Sequence, residues 1–132
     1  MTLAELSRMP AIDVEQRVLA AVLAEPDKLA LANDLEVGDF VDYRHRAAFE
    51  AMRNLQADGW DVEICAVADA IAIADLDRGR CVADHVSLVW LTKLVNAAPK
   101  YEDQFGIDAW RSVFDADLRE LRLTAIARAE VM

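Results

Sequence analysis

The side chains that could do chemistry in this chain are few, and they cluster in one short stretch. DFVDYRHRAAFEAM, Asp39 to Met52, places Arg44, His45 and Arg46 together, with Asp42 and Glu50 three and five residues from the histidine. A histidine beside a carboxylate can act as an acid–base pair. No serine or cysteine nucleophile accompanies it in sequence, so a small helical hydrolase using His45 or His85 is the least favoured function. A second set is Cys81 and His85, four apart, to which Cys65 and Asp84 would add ligands. Structural zinc sites carry paired ligands at tight spacing, which this set lacks. The simpler reading is a buried thiol and a surface histidine. No catalytic residue, metal ligand or cofactor-binding residue is therefore assigned. The basic trio has a structural reading too. Positive charge in the first turn of a helix opposes the macrodipole by a few tenths of a kcal/mol, which points to a specific contact.

Absent motifs narrow the chemistry further. No GxxxxGK[ST], GxGxxG, HExxH, GxSxG or EF-hand loop occurs, and four scattered glycines supply no phosphate-gripping loop. The formal charge is −10, with 14 Lys and Arg against 24 Asp and Glu. Such a chain repels a phosphate backbone on average, so strong direct nucleic-acid binding is not expected, and a basic protein partner fits better. A helix-turn-helix reader would want a basic recognition helix, and beyond the trio that segment has only Arg53. Two distant cysteines and the lack of a secretory leader point to a reduced, cytoplasmic protein. No apolar run approaches the roughly 20 residues of a membrane helix.

The elements that carry these residues read as helices. The 132 residues are 55% hydrophobic, with only three prolines, and no segment reads as a strand. Residues 1–12 read as a flexible lead-in, and 13–132 as one helical domain. Asp13 is the expected N-cap of a first helix, with Gln16 as capping-box partner and Val14, Val18, Leu19, Val22 and Leu23 at helical spacing. Pro26 stops it. A short helix covers Asp27 to Asp34. Gly38 marks a turn, and Asp42 caps a helix whose stripe is Ala48, Phe49, Met52 and Leu55, ending near Gly59.

Asp61 or a neighbour caps a fourth helix through Cys65, Ala68, Ile71 and Ala72. Asp75 to Arg80 reads as a loop. A fifth helix from about Asp84 to Ala98 is apolar round so much of its girth that burial on more than one side is expected. Pro99 and Gly106 bracket a connection. The last helix starts near Asp108, with Trp110, Val113, Phe114, Leu118, Leu121 and Ala125 on a heptad-like stripe. Pairs four apart, Asp13–Arg17, Arg46–Glu50 and Asp115–Arg119, suit helix faces. Such stripes are usually core. This one lies on a terminal helix, after five helices able to close a core, which favours a partner chain.

The order of these features resembles the N-terminal domain of replicative DNA helicases of the DnaB type. VEQRVLAAVLAEPDKL (Val14 to Leu29) parallels that family's first helix and its Asp-Pro. Asp39, Phe40, His45, Arg46 and Phe49, with Ala51 and Leu55, match its Asp-Phe, His-Arg and Phe-Ala-Leu signature. Gly59 with Val62 and Glu63, then Trp90, Leu91, Leu94 and Pro99, then Trp110, Val113 and Phe114, follow in family order over roughly residues 10–125. Ala21 replaces a usual glycine, Arg80-Cys81-Val82 replaces a Gly-Gly, and Gly106 is additional.

The resemblance implies an all-α, small orthogonal bundle of about six helices with a C-terminal helical hairpin. It implies a non-catalytic collar that self-associates, as a dimer or as part of a hexamer in a full-length protein, and docks primase or another replisome protein. Trp90, Leu94, Trp110, Phe114 and Leu118 are then the expected interface. The His-Arg pair becomes a structural signature rather than a DNA grip. Without a Walker motif no helicase or ATPase activity is expected of these residues, although a full-length parent would be an ATP-dependent helicase. The alternative is a stand-alone replication regulator or loader-like adaptor of the same fold.

Overall fold

The computed structural model describes residues 3–98 and 100–131, so Pro99 lies outside the described residues. Among them there are six α-helices and no strand. These are α1 (Leu3–Ala24), α2 (Tyr43–Ala57), α3 (Ile64–Arg78), α4 (Leu88–Asn96), α5 (Tyr101–Phe105) and α6 (Trp110–Val131). Short 3-10 turns at Pro26–Ala32, Val37–Asp39 and Val82–Asp84 join them.

The first helix is the hub. Val14, Val18, Leu19, Ala20, Ala21, Val22 and Leu23 are all buried, and α1 packs against α2, α4 and α6. A helix apolar on every side is one surrounded by others. The fifth sequence segment was expected to fill that role, but α4 is buried on one side only, through Leu91 and Leu94, while Leu88 and Val89 face solvent. Helix α4 also starts later than expected. Ser87 caps it by accepting from the Trp90 amide at 3.2 Å, because the Val82–Asp84 turn occupies the residues before it.

Other boundaries moved for identifiable reasons. The first helix begins at Leu3 rather than Asp13, and its backbone runs through Pro10 and the expected lead-in. Leu, Ala, Glu, Arg and Met are strong helix formers, and they flank that proline on its N-terminal side. Asp75 to Arg78 is helix, not loop. Asp75 is buried because its carboxylate accepts from the Arg80 guanidinium at 2.7 Å and from the Ala83 amide at 2.6 Å. Gly79 ends α3 at φ 63, a left-handed turn that glycine adopts without strain. Asp42 caps α2 as expected, accepting from the Arg44 amide at 2.9 Å. The fourth cap is Glu63, which accepts from the Ala66 amide.

The terminal helix joins the core instead of standing apart from it. It packs against α1, α5 and the Val37–Asp39 turn, and it buries Phe114, Leu121 and Ala125. Five helices therefore do not close the core alone. Replacing Phe114 with Ala should cost about 3–5 kcal/mol, a large share of the stability of such a domain. Urea unfolding followed by circular dichroism would show it as a lower midpoint at unchanged slope.

Candidate interaction surface

The signature stretch is organised by one acidic side chain from α1. Glu15 is only 1% exposed. Its Oε2 accepts from the Val41 amide at 2.9 Å, and its Oε1 from the Asp42 amide at 3.3 Å. The His45 ring completes the set, with Nδ1 3.1 Å from Oε1. A carboxyl group that already accepts two backbone N–H groups takes the ring hydrogen on Nδ1. His45 is buried, edge-on to Phe40 and beside Trp90. Phe40 in turn packs on Phe49 at 4.9 Å between ring centroids. Phe40, His45 and Phe49 thus form one joint between α1 and α2, while Asp39 accepts from the Glu36 amide in the turn before it and Arg46 of the same signature points to solvent. A histidine enclosed this way is a structural group, not an acid–base catalyst.

The specific contact implied by positive charge at this helix start is made by Arg44. Its guanidinium donates to both oxygens of Asp42, at 3.2 and 2.9 Å, and lies over the Trp90 ring at 5.5 Å. Burial raises the Asp42 pKa. The Arg44 hydrogen bonds, from side chain and backbone, together with nearby positive charge, outweigh burial and hold that carboxyl below its ordinary value. Tyr43 stands edge-on to His85. Arg53, further along α2, donates to the Ala32 and Leu35 carbonyls and stacks on Phe49, so it closes a 3-10 turn.

The seam between α1 and α6 is polar at its rim. Arg17 donates to Asp117 at 3.3 Å, and the Tyr101 hydroxyl donates to the other Asp117 oxygen at 2.6 Å. Burial first, and then the bond to Asp117, push the Tyr101 phenol far above its ordinary pKa. Lys28 is buried between Glu25 and Glu102, 2.8 Å from the latter, with its ammonium 4.8 Å from the Trp110 ring centroid. Arg122 and Arg128 donate to the Asp34 and Asp39 carbonyls. Glu50, expected to pair with Arg46, pairs instead across elements with Arg78 at 2.7 Å. Arg17 pairs with Asp117, and the side chain of Asp13, its expected partner, lies outside the described residues. Cross-element pairs fix helix positions, which pairs along one helix do not.

A sequence model of the DnaB-like helicase N-terminal domain matches residues 8–107. The chain belongs to that family. A crystal structure of the N-terminal domain of DnaB helicase from Mycobacterium tuberculosis superposes with a TM-score of 0.68 at 21% identity, covering 89% of this chain and 75% of that one. No curated protein matches. The DnaB-like fold shown by this superposition is the all-helical one described above, and it corresponds to the non-catalytic N-terminal part of the helicase.

Of the five expected contact residues, this DnaB-like domain buries Leu94 and Phe114 in its own core and leaves Trp90, Trp110 and Leu118 half-buried. Trp110, Phe114 and Leu118 also lie beyond the residues that the family model matches. Apolar side chains that do reach solvent include Leu88 and Val89 on α4, Phe105 at the end of α5, Ile107 after it, and Leu123 and Ile126 on α6. Sequence reasoning passed over the last pair because Leu123 and Ile126 fall outside the heptad stripe. The signal was their spacing of three, which puts them one turn apart on one face. It missed Glu15 as well, since a lone Glu in an apolar helix looks solvent-facing. Cys65 and Cys81 are exposed, so the expected buried thiol is corrected: neither sits on an inward face of its segment. Among the described residues no three His, Cys, Asp or Glu side chains gather in metal-binding geometry, and no helix is long and apolar enough to cross a membrane.

Acid should expose the Asp42 contribution. The folded pKa lies below the unfolded one, so this stabilisation is complete above the unfolded value and is lost as pH falls through the folded one. Asp42→Asn keeps a good N-cap but does not titrate. Urea titrations at a series of pH values should show the variant less stable than the parent at neutral pH, with the gap closing below about pH 4.

Proposed function

We propose that this domain is a non-catalytic collar that self-associates through its C-terminal helices and docks primase or another replisome protein. The observation that carries the reading is the outer face of α6. That helix has already placed Phe114, Leu121 and Ala125 in the core, yet it still shows Leu123 and Ile126 to solvent at 56% and 46% exposure. Apolar residues left outward after the core is filled mark an association surface. The reading also takes in half-buried Trp90, Trp110 and Leu118, while Leu94 and Phe114 are buried and serve to hold their helices. Family membership supports an oligomeric setting, and the acidic charge is consistent with a protein partner rather than DNA.

Sedimentation velocity over a wide concentration range tests self-association. A reversible dimer is expected, and a strict monomer at high concentration would overturn the reading. The double variant Leu123→Asp with Ile126→Asp alters exposed positions only. It should weaken the dimer at least about tenfold, the loss expected for removing roughly 1.4 kcal/mol of contact energy, while leaving the circular dichroism spectrum unchanged.

A further inference from the structure

The opposite feature, an apolar surface with a strongly acidic border, lies where the end of α2 meets α3. Trp60 sits in the turn between these helices at 69% exposure, anchored by its amide to the Leu55 carbonyl. On α3, Ile73 is 61% and Leu76 85% exposed. Trp60 and Ile73 flank a groove whose floor is Leu55, Ala66, Ala70 and Ala74. The alanines recur every fourth residue, so one flank of the helix is shaved down to small side chains. A rigid aromatic beside a shallow apolar floor is what an incoming helix face needs.

The border sets the chemistry of the occupant. From Asn54 to Asp77 the chain has no Lys or Arg, but it has Asp58, Asp61, Glu63, Asp69, Asp75 and Asp77. Asp75 is consumed by Arg80 and the Ala83 amide, and Glu63 by its cap. Asp58, Asp61, Asp69 and Asp77 remain exposed. Arg78 also lines the groove, and its charge is met by Glu50 at 2.7 Å. A second copy of this chain is a poor occupant. Its net charge is −10, and its long C-terminal helix, α6, offsets Arg111, Arg119, Arg122 and Arg128 with Asp115, Asp117, Glu120 and Glu130.

We propose that the groove between Trp60 and Ile73 docks a basic amphipathic helix of a partner protein, which lays two or three large apolar side chains on the groove while its Lys or Arg residues face the aspartates. Charge attraction across such a rim speeds encounter and selects the partner, and the i, i+4, i+7 apolar spacing sets the register. The surface is separate from the outer face of α6, so the inference does not rest on self-association.

The probe is a synthetic helical peptide with leucines at i, i+4 and i+7 flanked by lysines. Its control is a scrambled peptide of the same composition with no apolar face. Fluorescence anisotropy with the whole chain is expected to show binding that weakens with salt and falls about tenfold or more, the signature of a lost anchor, in Trp60→Ala and in Asp69→Asn with Asp77→Asn. The scrambled peptide should bind at least as poorly as those variants. Equal binding of both peptides, or indifference to Trp60→Ala, would overturn the proposal. So would a change in sedimentation caused by Trp60→Ala, because a second copy would then be the occupant. Unchanged sedimentation with lost peptide binding supports it.

Discussion

A single buried carboxyl group holds the joint on which the rest of this domain depends. Glu15 stands on the central helix, and three donors converge on it: two amides from the loop before α2 and the His45 ring from its first turn. Loops must find partners for their backbone N–H groups, and here that partner comes from another helix. The result fixes where α2 begins and how it leans on α1. Asp42 can then cap the helix, Arg44 can fold back onto Asp42 and Trp90, and Phe40 can enter the core against Phe49. Removing one side of such an arrangement is costly, because it strands polar groups away from water.

From that joint the core builds outward in both directions. Helix α1 is enclosed by α2, α4 and α6, and the last of these arrives only after 85 residues of intervening chain, 25–109. Its arrival is fixed by polar contacts at the rim rather than by the apolar stripe alone. Asp117 receives both Arg17 and Tyr101, and the Lys28 ammonium lies between Glu25, Glu102 and the Trp110 ring. An apolar stripe tolerates slippage, whereas a buried ammonium has few positions where its charge is met. These contacts explain how a chain this rich in alanine settles on one packing.

Much of this was legible in the sequence, and the failures have physical causes. The all-helical class, the Asp42 cap, the stop at Pro26 and the core role of Phe49 follow from local rules of capping, punctuation and periodicity. Local rules mislead where a distant group settles the matter. Asp13 looks like a cap but lies within α1, and Asp75 looks like a loop residue but is a buried acceptor for a segment eight residues on. Arg46 and Glu50, four apart, look paired along one helix, while Glu50 finds its partner on α3. The site divides in the same way. Periodicity singled out the α6 stripe, and the inner part of that stripe is core. The outward Leu123 and Ile126, and the exposed Trp60, become visible only once the inner faces have been assigned.

The central claim is that Glu15 couples α1 to the start of α2 through His45. A double-mutant cycle measures that coupling directly, with Glu15→Gln, His45→Ala and the pair each unfolded in urea. The two changes are predicted to be non-additive by about 1 kcal/mol or more, as expected for buried partners in one network. Additivity within about 0.5 kcal/mol, the behaviour of independent sites, would contradict the account.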